Sequence, residues 1–197
     1  MHQVVSSLTL ISYGIVVLSY IWARLKYFRV NSRESRIGSY IYDPLVAVQV
    51  FTTTYSFLEH QRYPLSRYLF ANLAYILSFL FFWWGIRSCS RLDFAFSGSV
   101  GKLITSGPFH LVRHPFYLSY IATWAASTFL FPLIPLWITL VLLTYFYILA
   151  ALREEKSILN SELGVEYKEY KKEVGMFLPK ATQWKKWFSE LSRIRKR

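Results

Sequence analysis

The sequence predicts an all-α, polytopic membrane protein with about five transmembrane helices and a cytosolic C-terminal helical segment. Two observations predict it. Of the 197 residues, 54% are hydrophobic, 19% aromatic and only 17% charged, where soluble domains carry about 25% charged residues. The apolar residues also gather into five stretches, 4–23, 44–58, 68–86, 116–131 and 133–152, the first four separated by polar segments that carry Lys and Arg. Such a chain is too apolar for disorder. A single cysteine, Cys89, excludes an intramolecular disulfide framework and a Cys-based zinc site.

About 20 apolar residues cross a hydrocarbon core as a helix. The first, third and fifth stretches meet that length. The second and fourth are shorter, so tilt, local bilayer thinning or flanking aromatics must complete them. Pro132 and Pro135 leave room only for a tight hairpin between the last two. The whole chain, 1–197, reads as one membrane domain: spans without a motif in 1–100, a motif-bearing part in 101–180 and a basic interfacial tail in 181–197.

Lys and Arg placement gives the orientation. Segment by segment from the N-terminus the cations number 0, 5, 2, 4, 0 and 12. That alternation suits five spans with the N-terminus outside and the third loop and tail cytosolic. With no cation before Leu8 and no small-residue cleavage site, the first span reads as a retained helix and not a signal peptide. The net charge of +12 has no basic soluble domain to carry nucleic-acid binding. It suits cations held at an anionic membrane face, and Trp184-Lys185-Lys186-Trp187-Phe188 has the interfacial pattern.

Two segments on the cytosolic side can carry chemistry. The third loop ends Thr105-Ser106-Gly107-Pro108-Phe109-His110-Leu111-Val112-Arg113-His114-Pro115-Phe116-Tyr117. Pro115 suits the first turn of a helix, which sets Arg113 and His114 at a helix N-terminus, where free N–H groups attract anions. Gly107-Pro108 supplies a turn. The plain alternative is that Arg113 and His114 are interfacial anchors. His110 and His114 lie four apart, but Pro115 interrupts a helix across them and no third ligand is apparent, so no metal site is expected.

The tail opens Leu152-Arg153-Glu154-Glu155-Lys156. If the fifth helix continues, Glu155 shares a face with Leu152, Leu159 and Leu163 and points into the bundle. A carboxylate there calls for a partner or a function. Glu154 better suits a solvated turn pairing with Arg153 and Lys156. Glu166-Tyr167 and Glu169-Tyr170 ahead of Lys171-Lys172 suggest an amphipathic surface helix.

At these two segments the chain resembles the isoprenylcysteine carboxyl methyltransferase family and its shorter prokaryotic relatives. The resemblance rests on Thr105-Ser106-Gly107-Pro108-Phe109 followed by Arg113-His114-Pro115-x-Tyr117. It also rests on Glu154-Glu155, Leu159, Leu163-Gly164-x-Glu166-Tyr167-x-x-Tyr170 and Pro179. It implies a membrane-embedded methyltransferase using S-adenosylmethionine without a Rossmann domain, in agreement with the absence of a G-x-G-x-x-G unit. By family likeness the cofactor contacts fall on Leu103, Ile104, Phe109, His114, Pro115, Phe116, Tyr117 and Glu155, with Arg113 and Arg153 as candidates for the reaction itself.

There are three departures. Phe109 stands where the family usually has Tyr, Lys156 interrupts the acidic run, and Ala151 stands where eukaryotic members have a substrate-binding arginine, leaving Arg153 as the nearest replacement. The implied reaction is methyl transfer to a lipophilic acceptor at the cytosolic membrane face, first of all carboxyl O-methylation of a prenylcysteine-like or other amphiphilic substrate, with N-methylation of a phospholipid headgroup as the alternative. An NADPH-dependent lipid reductase would require a longer chain with more cations for the dinucleotide. A non-catalytic membrane protein would have no use for the two motifs. The expected partners are the bilayer and an amphiphilic or lipid substrate, with no metal and no nucleic acid.

Overall fold

The computed structural model describes residues 2–27, 33–59, 63–89 and 103–180, with side chains in the second helix from residue 40 onward. The interfacial Trp-Lys tail and the loop cations Arg29, Arg62, Arg91 and Lys102 lie outside them. The described residues form six α-helices: α1 His2–Lys26, α2 Arg33–Leu58, α3 Leu65–Ser88, α4 Pro115–Leu130, α5 Ile134–Leu159 and α6 Gly164–Glu173. A 3-10 turn, Gly107–His110, precedes α4.

Helices α1, α3 and α5 are long and apolar enough to cross a membrane. The other two apolar stretches fall on α2 and α4. Helix α2 begins well before Pro44 and carries that proline inside it. Helix α4 has 16 residues, about 24 Å at 1.5 Å per residue. Most of α4 is buried among its neighbours, so its length and polarity are set less by lipid than by packing.

Helix α3 packs between α1 and α4, and α5 packs between α4 and α2. The inward faces hold Tyr13, Val16, Tyr20, Tyr75, Phe82, Trp124, Leu143 and Tyr147. Large aliphatic residues such as Leu8, Ile11, Leu18, Leu73, Ile138 and Val141 face outward. Polar side chains join the helices inside. Ser119, Thr123 and Ser127 recur every four residues along α4, which lines them up on one face. Tyr20 hydroxyl meets Thr123 Oγ1 at 2.9 Å, and Tyr75 hydroxyl meets Ser127 Oγ at 2.9 Å. Gln49 on α2 donates to Trp124 carbonyl at 3.3 Å and accepts from the Thr139 hydroxyl on α5. Small and polar residues inside with aliphatics outside is the arrangement a bilayer favours.

The hairpin of α4 and α5 turns at Phe131, Pro132 and Leu133. Its antiparallel course brings the start of α4 and the end of α5 to the same end of the bundle, where both motifs lie. The 3-10 turn rests on α3 there. Gly107 has φ +62°, and a Cβ on it would stand 2.0 Å from Ser88 Oγ, so the turn requires glycine. Cys89 caps α3 and is buried. Burial pushes its thiol up to about 12.

Candidate functional site

Helix α5 continues through Glu155 to Leu159, and the carboxylate is 1% exposed. Its buried stripe runs Leu143, Tyr147, Ala151 and Glu155, four residues apart. Leu152, expected on the same face, is exposed instead. In lipid the aliphatic side chains turn outward and the small or polar ones pack inside, so the apolar stripe of α5 marks its outer face. Glu155 faces the bundle, one turn beyond Ala151.

The motif residues converge on that carboxylate. Glu155 Oε1 accepts from Arg113 Nε at 2.9 Å and lies 2.7 Å from Arg113 Nη2 and 3.2 Å from His114 Nε2. Lys171 Nζ of α6 stands 2.7 Å from Oε2. Burial raises the pKa of Glu155, but its contacts with His114, Lys171 and Arg113 outweigh that and hold it down at about 2. Arg113 is 8% exposed, and its Nη1 donates to Val174 carbonyl.

The backbone fixes this geometry. Arg113 N–H donates to Gly175 carbonyl at 2.9 Å and His114 N–H to Met176 carbonyl at 3.2 Å, while Val112 and Gly175 form a parallel bridge. The Tyr170 hydroxyl donates to Phe109 carbonyl at 2.6 Å, which ties α6 to the 3-10 turn. A Cβ on Gly175 would stand 1.8 Å from Leu178 carbonyl oxygen. Gly175→Ala is therefore expected to push the clamp open and lower the thermal unfolding midpoint, with Gly14→Ala, at a site with open space, as the control that does not.

Glu154 departs from its expected solvated pairing. Tyr117 hydroxyl donates to Glu154 Oε1, and His114 Nδ1 lies 3.5 Å from its Oε2. Adjacent helical residues point about 100° apart, and the first turn of α4 fills that angle, so His114 touches both carboxylates. Its ring also stacks on Tyr117, centroids 5.7 Å apart at 16°, and meets Phe177 at 6.0 Å.

Burial lowers the pKa of His114, but hydrogen bonds and charge from Glu154 and Glu155 outweigh it, leaving it above its ordinary 6.5. A raised pKa means that folding favours the protonated ring. That contribution to stability is fully present below about pH 6.5 and is lost as pH rises through the folded value. Unfolding midpoints are expected to fall across that window in the parent and less in His114→Gln.

The other expected contacts divide in two. Pro115 occupies the first turn of α4. Phe109 meets Phe116 edge-on at 6.0 Å, and Phe116 packs on Phe82 of α3 at 5.5 Å, so these rings form a wall on the α3 side. Leu103 is buried and Ile104 half-buried in the segment leading to the turn. Arg153 is exposed on α5, away from the cluster, with no ion pair among the described residues. Sequence reasoning missed Lys171 and the 174–176 clamp, whose only local signal is a glycine.

The Arg-His-Pro helix start and the buried Glu both fall within the part of the chain that matches a recognised sequence family. The phospholipid methyltransferase family matches residues 66–164, just over half of the chain. The chain belongs to this family. It is thereby a membrane methyltransferase of the isoprenylcysteine carboxyl methyltransferase-like group, and the family implies S-adenosylmethionine as methyl donor. No curated protein and no solved structure matches it. Metal ligation has no candidate group of three His, Cys, Asp or Glu among the described residues.

Proposed function

We propose that this methyltransferase uses the Arg113–His114–Glu155 cluster to hold S-adenosylmethionine and methylates the nitrogen of a phospholipid headgroup at the cytosolic face. The observation that carries the cofactor assignment is the buried Glu155 carboxylate, held among Arg113, His114 and Lys171 beside the N-terminus of α4. An ionised carboxylate in that position can accept from ribose hydroxyls or an ammonium. Against the effect of burial, His114, Lys171 and Arg113 together hold Glu155 ionised, and Arg113 fixes its position. The free N–H groups of the first turn of α4, beside His114, suit the cofactor's carboxylate. Phe109 and Phe116 supply an apolar wall that excludes water. Bound there, S-adenosylmethionine would supply a sulfonium methyl group for in-line displacement, so the protein's share is alignment and desolvation.

Two observations favour an amine acceptor over a carboxylate. Arg153 is exposed and Arg113 is committed to Glu155, whereas Glu154, half-buried beside Tyr117, is an anion suited to hold an ammonium and take its proton. Labelled methyl transfer into membrane lipid is expected to give a base-stable product, with Arg153→Ala fully active. A base-labile ester that disappears in Arg153→Ala would support O-methylation of a carboxylate instead.

The reading includes five spans, α1 to α5, with the N-terminus outside and the site on the cytosolic side, as the cation series argues. Buried Cys89 is a poor reporter for this. In a Cys89→Ser chain, Ser157→Cys on an exposed position of α5 is expected to resist an impermeant maleimide in intact cells and to react after permeabilisation. Labelling in intact cells would contradict the orientation.

A further inference from the structure

The two oxygens of Glu155 are not equivalent. Oε1 is met by three nitrogens, Arg113 Nε at 2.9 Å, Arg113 Nη2 at 2.7 Å and His114 Nε2 at 3.2 Å. An ionised carboxylate offers about four lone-pair sites over its two oxygens, so Oε1 has no room for another donor. A ligand that donates to Glu155 must therefore approach Oε2. Lys171 Nζ of α6 already stands there, at 2.7 Å.

The three partners of the carboxylate differ in how easily they leave. The side chains of Arg113 and His114 are 6% and 8% exposed, whereas that of Lys171 is 42% exposed. Arg113 is also tied to Val174 carbonyl, and His114 to Glu154 and the Tyr117 ring. Lys171 carries its charge on a flexible four-carbon stem, and among the described residues its ammonium pairs with no other acid. Returning a half-exposed ammonium to water costs little, for ion pairs open to solvent are worth little. The helix does not need this contact to stay seated. Tyr167 is buried beneath it, the Tyr170 hydroxyl donates to Phe109 carbonyl, and Lys180 Nζ donates to Lys171 carbonyl at 2.7 Å. The Lys171 side chain can swing while its backbone remains in place.

We infer that Lys171 is a displaceable latch on the cofactor site, its ammonium competing with the cofactor for Glu155 Oε2. As the cofactor's donor arrives, Lys171 swings into water, so the buried carboxylate exchanges one donor for another and is never left short of one. S-adenosylmethionine and S-adenosylhomocysteine carry the same ribose and ammonium. The latch therefore opposes both, and it eases the departure of the product after methyl transfer. Neighbouring lysines have no such part: Lys172 pairs with Glu169 at 2.7 Å, and Lys168 is exposed and makes no ion pair with Glu155.

The inference rests on the cofactor reading above, and its test separates the two. Full-length protein in a mild detergent is titrated calorimetrically with S-adenosylhomocysteine. Lys171→Gln is expected to bind it about three- to tenfold more tightly than the parent, the reverse of what losing a ligand contact would give. Lys168→Gln removes the same charge from an exposed position of the same helix and is expected to leave the affinity unchanged. In a Glu155→Gln background Lys171→Gln is expected to bring no gain, because no carboxylate is left to contest. A general loosening of α6 would act in both backgrounds. Lys171→Gln binding no more tightly than the parent would overturn the inference, as would an equal gain from Lys168→Gln or in the Glu155→Gln background. S-adenosylhomocysteine that binds neither the parent nor Lys171→Gln would instead remove the cofactor reading, and the latch with it.

Discussion

Glu155→Gln is expected to weaken S-adenosylhomocysteine binding about 10- to 150-fold. The loss follows from a charge-assisted hydrogen bond, worth roughly 1.5–3 kcal/mol, at about 1.4 kcal/mol per tenfold. Glutamine retains the shape and one acceptor oxygen but no charge, and its amide group would face the Arg113 guanidinium or the ligand. Glu154→Gln is expected to change cofactor affinity less, because its carboxylate meets Tyr117 and His114 and lies outside the Arg113–Glu155–Lys171 cluster. Calorimetric titration of both variants checks the pair. Equal affinity for Glu155→Gln and the parent would defeat the assignment.

Arg113→Ala is expected to cost up to about 3–5 kcal/mol of stability, the range for breaking a buried ion pair, with Lys171 and His114 remaining beside Glu155 to offset part of it. Against a typical stability of about 5–15 kcal/mol, that is a large share. The guanidinium neutralises Glu155 and also satisfies Val174 carbonyl, so two buried groups lose a partner together. Arg113→Ala/Glu155→Gln removes the less well paired charge and is expected to recover much of the loss, a coupling that a double-mutant cycle isolates. Denaturant unfolding in a mild detergent provides the measurement. An Arg113→Ala chain as stable as the parent would show that the pair is not buried as described.

Much of this architecture is legible in the sequence, for identifiable reasons. Helices α1, α3 and α5 follow from apolar length, and the N-terminus of α4 from Pro115. That Glu155 faces inward was also legible, although on the wrong companions. A soluble-protein rule groups it with Leu152, whereas in lipid the inward stripe is Tyr147, Ala151 and Glu155. Helix α2 was read too short because its first residues include Arg33, Glu34 and Arg36, which conceal a helix from an apolar-length criterion. Glu154 was read as solvated because local charges suffice to pair it. Its contacts with Tyr117 and His114 come from another helix, 37 and 40 residues away in sequence. Lys171 and the 174–176 clamp depend entirely on such long-range placement. No spacing rule exposes them.

The central claim is that the methyl donor binds where Arg113, His114 and Glu155 meet. Ultraviolet cross-linking of labelled S-adenosylmethionine to the purified full-length chain, followed by peptide mapping, tests it most directly. The label is expected within residues 103–117, 154–159 or 174–177, and to be competed away by S-adenosylhomocysteine. Label confined to the first hundred residues, or label that S-adenosylhomocysteine does not displace, would contradict it.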